Sequence, residues 1–546
     1  MAYIPRRRFL KDSVTAAAGC TAPFMLRNSL FAQASPNATT RVYLDTRRSL
    51  PALDRNIFGS FLEHLGRAIY EGIYDPESKL SDSNGFRKDV ADEIKKLGVP
   101  LVRYPGGNFV SGYHWLDGVG PKKDRPRVVE KAWNSIETNQ FGTNDFMAWC
   151  KLVGTKPLMG LNLGTSTPEM AAALVEYCNI EKGTKWSDLR RSHGIVDAYG
   201  VEHWCLGNEM DGPWQIGHMS ATEYGMKAAD AGRQMHYVDP SLKLIACGSS
   251  NNSMPTYLEW DRQVLEQCFD YVDGLSLHRY FGNTPEETGG DSARYMALNL
   301  SMERQIAESL AVCDYVQARR HSSKKLWLSF DEWNVWYRAR SGDGKKQVAP
   351  HLLEEVYNLE DALLVGGLVN TIIRNSERVK IACLAQLVNV IAPIMTNSNG
   401  FYRQTIYYPY AWAIQYARGA AMITAVESPT YDAVSADYKE RDRKNVESVP
   451  YVDAAATIDK ESGKYSVFLF NRDLTNSREV EIRWEGAAPS RVLDAFTLTG
   501  NDLKAHNSFD APQNVAPRAF DKPSTANNRT RIELPSRSYT LIQFST

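Results

Sequence analysis

The chain has 546 residues, 43% of them hydrophobic and 23% charged, with a formal net charge of -1 at pH 7. A chain of this length forms more than one simple core, so we expect one large domain and a smaller one. Because the two signs of charge are interspersed and nearly balanced, the composition excludes a nucleic-acid-binding surface and an electrostatic membrane binder.

The first 34 residues resemble an export signal. Residues 6–11 (RRRFLK) resemble the twin-arginine pattern, the small apolar stretch VTAAAGCTAPFML follows, and Ala32-Gln33-Ala34 fits a cleavage site. We therefore expect an exported protein that resides in the periplasm. Ala18-Gly19-Cys20 also resembles a lipobox, which makes a lipid anchor at Cys20 the less favoured alternative. Elsewhere the chain has no run of 18 apolar residues, so we expect no membrane-spanning segment.

The eight cysteines and ten histidines are scattered along the chain. They form no CxxC pair and no HExxH pattern, which argues against a disulfide framework and against a zinc site. Cys205, Cys247 and Cys383 lie inside strand-like runs, and we interpret such cysteines as buried thiols. The sequence therefore predicts no metal and no cofactor.

From about residue 56 to 400, short apolar runs alternate with amphipathic stretches such as FRKDVADEIKKLG. This alternation predicts a parallel sheet covered by helices, and eight units favour a (β/α)8 TIM barrel over residues 51–415. The alternative is a doubly wound open sheet, which would prefer a glycine-rich phosphate turn where this chain has FLEHLG. The eight runs are IFGSFLE (57–63), VPLVRYPGG (99–107), KPLMGLNLG (156–164), VEHWCLGNE (201–209), LKLIACGSS (242–250), VDGLSLHRY (272–280), KLWLSFDEW (325–333) and VKIACLAQLVN (379–389).

The sequence changes character over residues 416–546. Segments such as ESGKYSVFLFNRD and REVEIRWEG alternate polar and apolar residues between turn signals, which predicts an all-β sandwich of jelly-roll type. Residues 41–50 alternate in the same way, and we expect them to form an N-terminal strand that joins this sandwich. Residues 425–450 include the charged run DYKERDRKNVES, which we interpret as an insertion or an oligomer contact.

Polar side chains end several predicted barrel strands, and TIM barrels carry their active sites at those ends. Glu209 and Glu332 end the fourth and seventh strands, where they can face each other across the mouth. Two facing carboxylates can divide the work of glycoside hydrolysis, one as acid and the other as nucleophile or base. The strand-end side chains are Glu63, Asn108, Asn208, Glu209, His278, Tyr280, Glu332 and Gln386.

These residues also admit plainer interpretations. A glutamate at a strand end is more often a cap or an ion-pair partner than a catalytic group. Successive strand residues face opposite sides, so Asp331 and Glu332 cannot both point at a substrate. The residues leave retention or inversion of configuration open, because that outcome depends on a distance.

Several segments resemble glycoside hydrolase family 51, the retaining α-L-arabinofuranosidases of the large (β/α)8 glycosidase clan. They occur in order from about residue 57 to 397 and so span the whole predicted barrel. The matching segments are IFGSFLEHLGRAIYEGIYD, RYPGGNFVSGYHW, KAWNSIETNQFG, EYCN, WSDLRRSHG, WCLGNEMDGPWQIGH, LSLHRY, FDEWNVWY and AQLVNVIAPIMT.

The resemblance implies a role for each matching residue. Glu209, in Gly-Asn-Glu, would be the general acid/base, and Glu332, in Asp-Glu-Trp, the nucleophile, with their carboxyl groups about 5–5.5 Å apart. Trp133 would lie beside the leaving-group subsite, and His278 would donate a hydrogen bond that orients Glu332 or its neighbours. Arg103 and His114 could support these groups. The substrate pocket would be lined by Glu63, Asn108, Asn208, Tyr280 and Gln386.

The resemblance predicts an exo-acting enzyme that releases terminal arabinofuranose from arabinoxylan or arabinan fragments, and a homo-oligomer, by resemblance a hexamer. Two alternatives stay open. An endo-glucanase or xylanase could use the same scaffold if the site were an open cleft. The second alternative is a carbohydrate-binding protein that has lost catalysis. The intact motifs around Glu209 and Glu332 argue against it.

Overall fold

The computed structural model describes residues 38–339, 346–440 and 443–546. Its strands, in chain order, are β1 (Thr40–Ala52), β2 (Gly59–Phe61), β3 (Leu101–Tyr104), β4 (Val128–Glu130), β5 (Ser135–Glu137), β6 (Lys156–Gly160), β7 (His203–Leu206), β8 (Lys243–Cys247), β9 (Gly274–Phe281), β10 (Trp327–Val335), β11 (Val379–Leu384), β12 (Ile394–Asn397), β13 (Gly400–Arg403), β14 (Ala420–Glu427), β15 (Thr430–Glu440), β16 (Arg443–Pro450), β17 (Val452–Asp459), β18 (Lys464–Asn471), β19 (Arg478–Glu485), β20 (Arg491–Thr499), β21 (Arg518–Ala519), β22 (Thr525–Ala526), β23 (Arg529–Leu534) and β24 (Ser538–Ser545). The α-helices are α1 (Lys88–Leu97), α2 (Thr143–Val153), α3 (Pro168–Asn179), α4 (Lys185–Ser192), α5 (Ala221–Val238), α6 (Glu259–Cys268), α7 (Ser292–Met296), α8 (Leu298–Arg319), α9 (Leu359–Arg374) and α10 (Tyr407–Tyr416).

Eight strands close into a barrel in the order β10–β11–β2–β3–β6–β7–β8–β9. All neighbouring pairs are parallel. Six of the eight apolar runs contain a whole barrel strand, and the other two contain all but the last one or two residues of β9 and β10. The predicted TIM barrel is therefore confirmed and the open doubly wound sheet is wrong. The strands are apolar and buried on both faces because helices cover them from outside.

Local sequence signals set the ends of the surrounding helices. Helix α5 begins with a capping box, in which Ser220 Oγ accepts from Glu223 N and the Glu223 carboxylate accepts from Ser220 N. Helix α1 ends at Gly98, whose φ of 79° is favourable only for glycine. Helix N-caps such as Ser220 fix where the loops at the barrel mouth end, and C-caps such as Gly98 fix where the loops at the opposite face begin.

The C-terminal residues form an all-β domain around a ten-stranded sheet in the order β21–β20–β24–β18–β17–β14–β1–β19–β23–β22. Strand β1 lies inside this sheet, antiparallel to β14 and parallel to β19. Alternating side chains of eight of these strands, from Val42 to Phe544, form a core that belongs to this domain alone. The N-terminal strand is therefore an internal strand of the C-terminal domain.

The other face of the sheet packs on the barrel. Phe468, Phe470 and Tyr539 belong to the same hydrophobic cluster as the barrel strands. A Cβ at Gly366 in α9 would lie 2.5 Å from the Tyr539 ring, so glycine allows the helix to approach the sheet this closely. Arg472 is buried at this contact and donates to the carbonyl of Met296 at 3.0 Å. The two domains therefore share a continuous core.

The segment interpreted as an insertion or oligomer contact folds mainly as the hairpin β15–β16. The base of the hairpin packs against the barrel helices: Tyr431 OH donates to the Ala293 carbonyl at 2.7 Å, and Arg304 pairs with Glu447 at 3.0 Å. Oligomer contact stays a prediction for this segment.

The expected export signal, residues 1–34 with the alternative anchor at Cys20, lies outside the described residues. Within the described ranges, no helix combines the length and the apolar character that crossing a bilayer requires. The seven cysteines of those ranges are all buried free thiols. This agrees with the interpretation of Cys205, Cys247 and Cys383, which lie in barrel strands.

Candidate active site

A cavity of about 820 Å³ opens where the barrel strands end. Seven of the eight site residues that the sequence predicts line it: Glu63, Asn108, Trp133, Glu209, Tyr280, Glu332 and Gln386. The eighth, Asn208, is only 1% exposed, and its Nδ2 donates to Asn108 Oδ1 at 3.3 Å. The strand-end rule therefore identifies one connected site, in which Asn208 stands behind the lining residues.

Glu209 and Glu332 face each other in this cavity. One carboxylate oxygen of each, together with a ring nitrogen of His278, lie within 4.8 Å of one another. Glu332 is near the end of β10, whereas Glu209 lies in the loop after β7. Gly207 and Glu209 have positive φ values of 103° and 44°, and this conformation costs a non-glycine residue about 1–3 kcal/mol. The strained turn carries Glu209 from the strand end into the cavity.

Two donors hold the Glu332 carboxylate. Arg103 Nη1 donates to Oε2 at 2.8 Å, and Tyr280 OH donates to Oε1 at 2.7 Å. Burial raises the pKa of Tyr280, and the nearby Glu332 charge raises it further, so the phenol keeps its proton. Both oxygens of a 7% exposed carboxylate are thus paired with donors, which fixes the orientation of the Glu332 side chain.

Glu209 has different partners. His278 Nδ1 lies 3.0 Å from Glu209 Oε1, and Trp214 Nε1 donates to Oε2 at 2.7 Å. Burial alone would lower the pKa of His278, but the carboxylates of Glu332, Asp331 and Glu209 outweigh it and raise the pKa to about 10. The imidazole is therefore protonated at neutral pH and supplies a proton-bearing nitrogen beside Glu209, more closely than beside Glu332, which lies 3.5 Å away.

Asp331 does not line the cavity, as expected, but the reason differs from simple strand alternation. The pairing register of β10 with β9 shifts between Ser329 and Glu332, and this irregularity turns both acidic side chains inward. Asp331 is fully buried and lies 3.4 Å from Arg103 Nε and 3.6 Å from His278 Nε2. The charge of Arg103 helps to lower the pKa of Asp331 well below its usual range against the opposing effect of burial.

We expect Asp331→Asn to lower the pKa of His278 from about 10 toward its ordinary value near 6.5, because the variant removes one of the three carboxylates that favour the imidazolium. Since the pKa is raised by folding, the protonated imidazole stabilises the native state fully below about pH 6.5, and this stabilisation is lost as the pH rises through about 10. In the variant, this stabilisation should be lost at a lower pH than in the wild type. Titration of ¹³C-labelled histidine by NMR, with His278→Gln to assign the signal, measures the shift, and an unchanged pKa would contradict the prediction.

Glu63 is the most deeply enclosed carboxyl group that lines the cavity. Its Oε1 accepts from Phe109 N and from Trp133 Nε1, both at 2.9 Å, and its own backbone N donates to Gln386 Oε1 at 2.9 Å. Burial and the charge of Glu332 raise its pKa to about 8. Glu63 is therefore neutral at pH 7, and its protonated carboxyl can donate a hydrogen bond into the cavity.

A short hairpin presents Trp133 to Glu63. Strands β4 and β5 flank the turn, and the Glu130 carboxylate accepts from Trp133 N at 2.7 Å. At the far end of the hairpin, Glu137 accepts from the buried His64 ring at 2.8 Å. These contacts tie the hairpin to the barrel next to Glu63, so that the indole of Trp133 has a fixed place on the cavity wall.

Sequence reasoning missed part of the lining. Trp214 contacts Glu209 from the following loop, and Ser250, Arg279 and Glu287 come from the ends of β8 and β9. Arg103, only a candidate supporting residue in the sequence, also donates to Asn208 Oδ1 at 2.7 Å. His114 is exposed and is absent from the lining. A strand-end search could have found Arg279, but the loop residues carry no periodic signal.

Two family models match most of the chain. A model described as "Alpha-L-arabinofuranosidase 1 domain" matches residues 93–294. A second, described as "Alpha-L-arabinofuranosidase C-terminal domain", matches residues 331–538. The two matches cover the greater part of the barrel and almost all of the all-β domain.

Individual proteins match over nearly their whole length. The chain is 46% identical to the intracellular exo-α-(1→5)-L-arabinofuranosidase 1 of Bacillus subtilis, over 92% of this chain and 98% of that protein. It is 44% identical to an intracellular exo-α-(1→5)-L-arabinofuranosidase of Acetivibrio thermocellus, over 89% of this chain and 95% of that protein. The solved structure of a family 51 α-L-arabinofuranosidase from Bifidobacterium longum superimposes with a TM-score of 0.87 at 36% identity, covering 94% of this chain and 100% of that one.

These relatives correct the prediction of export. Both the Bacillus subtilis and the Acetivibrio thermocellus proteins are named intracellular enzymes. This finding overturns the expectation, drawn from the twin-arginine-like segment, that the chain is a periplasmic protein with a cleaved signal. A short basic and apolar N-terminus is a weaker indicator of location than similarity along the whole chain.

Proposed function

The chain belongs to the α-L-arabinofuranosidases of glycoside hydrolase family 51 and is an exo-acting enzyme of that class, and we propose that it works by a retaining double displacement. The relatives are named exo-acting arabinofuranosidases, which argues against a non-catalytic binding protein and favours exo action over an endo-glucanase or xylanase. The proposal assigns Glu332 as the nucleophile and Glu209 as the general acid/base.

The observation that carries the proposal is the spacing of the two glutamates. Carboxylate oxygens of Glu209 and Glu332 approach within 4.8 Å. Retaining glycosidases hold their carboxyl groups about 5–5.5 Å apart, whereas inverting enzymes need about 6.5–9.5 Å to place a water molecule between sugar and base. The short spacing supports direct attack by one carboxylate on the anomeric carbon.

The contacts of Glu332 support its role as nucleophile. The Arg103 guanidinium and the Tyr280 hydroxyl donate to its two oxygens and hold the side chain in the cavity. In the first step, one carboxylate oxygen forms a bond to the anomeric carbon while the glycosidic carbon–oxygen bond breaks.

The contacts of Glu209 support its role as acid and then base. Glu209 forms a hydrogen-bonded pair with His278, which keeps a proton-bearing nitrogen 3.0 Å from Glu209 Oε1 because the surrounding carboxylates raise the pKa of His278 to about 10 against the effect of burial. A proton from this pair passes through Glu209 to the departing glycosidic oxygen. In the second step Glu209 removes a proton from the water that hydrolyses the arabinosyl-enzyme, which restores both glutamates.

The terminal arabinofuranose is bound by Glu63, Asn108 and Gln386, which line another part of the same cavity. A neutral Glu63 donates to one sugar hydroxyl, while the amides of Asn108 and Gln386 offer further donors and acceptors. Such hydrogen bonds strengthen as the oxocarbenium-like transition state forms. The substrates we propose are arabinan and arabinoxylan oligosaccharides, and the α-(1→5) specificity in the names of both relatives favours arabinan.

A panel of 4-nitrophenyl glycosides tests the substrate, and the first-formed product tests the stereochemistry. We expect strong release from the α-L-arabinofuranoside and little from β-D-xyloside, β-D-glucoside or β-D-galactofuranoside. ¹H NMR of an early time point should show α-L-arabinofuranose. Initial formation of the β anomer would contradict the retaining mechanism without touching the substrate assignment.

Replacing Glu63 with glutamine should move the alkaline limit of activity to higher pH. In the wild type, burial and the Glu332 charge raise the pKa of Glu63 to about 8, so the donor proton is lost as the pH rises through about 8. An amide keeps its donor at every pH, and its oxygen can still accept from Trp133 and Phe109. We expect kcat/KM to decline near pH 8 in the wild type and later in Glu63→Gln. Thermal melting across the same pH range controls for unfolding, and coincident alkaline limbs would contradict this assignment of Glu63.

A further inference from the structure

The hairpin β4–β5, which carries Trp133, is too small to hold its own position. Its two strands have three residues each and form a separate two-stranded sheet. An isolated hairpin of this kind is at best marginally stable in water, and Val128 and Val129 on its first strand are 37% and 48% exposed. The place of the Trp133 indole in the cavity wall therefore depends on contacts between the hairpin and the barrel.

Two adjacent residues that follow β2 make such contacts. Glu63 lines the cavity, and its Oε1 accepts from Trp133 Nε1 at 2.9 Å. His64 lies behind the cavity wall, where its side chain is buried and its Nδ1 is 2.8 Å from Glu137 Oε2. Glu137 is the last residue of β5. One residue of the pair thus holds the turn of the hairpin, and the other holds the end of its second strand.

We propose that Glu137 and His64 are positioning residues, which hold the Trp133 indole against the Glu63 carboxyl and so complete the pocket for the terminal sugar. The inference rests on the proposed function, because Glu63 is assigned there to bind that sugar. Neither Glu137 nor His64 belongs to the cavity lining, so both act through the residues that they hold.

The Glu137 carboxylate is a fixed point inside the protein. Its Oε1 accepts from Asn139 N at 2.5 Å and from Tyr70 OH, while Oε2 faces His64. Burial opposes ionisation of this carboxyl, but the charge and hydrogen bond of His64, together with the bonds from Tyr70 and Asn139, lower its pKa below the ordinary value. A buried carboxylate that moves away from such partners loses free energy, so the end of β5 stays where these donors are.

The His64 ring is fixed on its other sides as well. Its Nε2 lies 2.8 Å from the hydroxyl of Tyr104 at the end of β3. Its ring stacks on Phe109, with the ring centres 4.7 Å apart and the planes inclined by 18°. The backbone N of the same Phe109 donates to Glu63 Oε1 at 2.9 Å. His64 is therefore the place where the end of β2, the segment after β3 that includes Asn108, and the hairpin are held together.

Stability alone is a poor reason for this ion pair, because removing two charges from water offsets much of their attraction. A comparable pair away from the cavity provides a matched control. Glu93 on α1 is 5% exposed and accepts from Arg403 Nε at 2.6 Å, from Arg403 Nη2 at 2.7 Å and from Tyr407 OH at 2.5 Å. None of these three residues lines the cavity, so Glu93→Gln removes an equally buried charge without reaching the site.

The first test is a double-mutant cycle on kcat/KM for 4-nitrophenyl α-L-arabinofuranoside. Glu137→Gln keeps the shape of the side chain and removes its charge. We expect it to lower kcat/KM by about 10-fold in the wild-type background, as a small displacement of a binding group implies. In the Trp133→Phe background the same change should cost less than about 2-fold, because a positioning residue acts only through the group that it holds. Glu93→Gln should stay within about 2-fold of its parent in both backgrounds.

A second measurement follows the indole itself. The chain has 12 tryptophans, and in protein labelled with 5-fluorotryptophan the ¹⁹F resonance of Trp133 is assigned by its absence from Trp133→Phe. We expect Glu137→Gln to move this resonance toward the position of a solvent-exposed indole and Glu93→Gln to leave it in place.

The outcomes separate the two proposals. If the wild type fails to hydrolyse the nitrophenyl arabinofuranoside, the proposed function itself fails. If the wild type is active and folded Glu137→Gln keeps kcat/KM and the Trp133 resonance, or loses the same factor in both backgrounds, the positioning role is refuted while the function stands.

Two variants of His64 decide the matter if Glu137→Gln misfolds. The amide nitrogen of His64→Asn can take the place of Nδ1 and keep the bond to Glu137, whereas the amide of His64→Gln reaches only the place of Nε2, beside Tyr104. We expect His64→Asn to retain more of the wild-type kcat/KM and the Trp133 resonance than His64→Gln. Equal behaviour of the two variants would refute the positioning role.

Discussion

Glu332→Ala is expected to lower kcat for every arabinofuranoside by about 10⁴-fold or more. Without this carboxylate no arabinosyl-enzyme can form, and its two donors, Arg103 and Tyr280, are left facing an empty space. Steady-state kinetics on the nitrophenyl arabinofuranoside measures the loss. Because the space left by the side chain admits a small anion, added azide should restore part of the turnover and yield a β-arabinosyl azide.

The matched control is Glu266→Ala. Glu266 lies on α6, where it pairs with Arg262 at 2.7 Å and with Arg319 at 3.3 Å on the surface. Surface ion pairs contribute about 0–1 kcal/mol to stability, so this variant should keep wild-type activity. Circular dichroism shows whether Glu332→Ala keeps its fold. Turnover near the wild-type rate in the folded variant would remove Glu332 as the nucleophile.

Glu209→Ala should separate substrates by their leaving group. A nitrophenolate departs without a proton, whereas a sugar alkoxide needs one, and general acid catalysis contributes about 10²–10⁴-fold. We expect kcat/KM to fall by that factor for arabinotriose and to change little for the nitrophenyl substrate. Because Glu209 also serves as the base of the second step, kcat should fall on both, and the arabinosyl-enzyme should accumulate with a burst of nitrophenol.

Pre-steady-state measurement of the burst distinguishes this outcome from general damage. The same Glu266→Ala variant serves as the control. Equal losses of kcat/KM on activated and natural substrates, with no burst, would count against Glu209 as the acid and would direct attention to its partner His278.

The barrel could be predicted because its strands lie within continuous apolar runs bounded by turn signals. Each strand of the closed ring lies wholly or almost wholly in one such run, and the strand-end rule then pointed to residues as distant in sequence as Glu63 and Gln386. The rule works because all parallel strands of a barrel end on one face. The spacing of Glu209 and Glu332, in contrast, depends on the positive φ at Glu209, which no local pattern shows.

Asp331 marks where strand periodicity stops being informative. The period of two assumes an unbroken pairing register, and the register of β10 shifts just before Glu332. The sequence SFDEW does not reveal this shift, which is set by the neighbouring strand. Trp214 and the cavity residues that follow β8 escape prediction for a related reason, since loop residues reach the cavity through tertiary contacts such as that of Asp211 with Ser250.

Strand β1 is synthesised long before the strands with which it pairs. Thr46 in β1 donates to the carbonyl of Glu485, 439 residues further along the chain. At a synthesis rate of about 5–20 residues per second, β1 emerges from the ribosome roughly 20–90 s before its partner β19. Throughout that interval the edge of β1 that pairs with β19 is open to other chains, and the edge that pairs with β14 is open for most of it. The barrel, whose strands lie between β1 and β14 in the chain, can close meanwhile, so the first strand to be translated is among the last to reach its native neighbours.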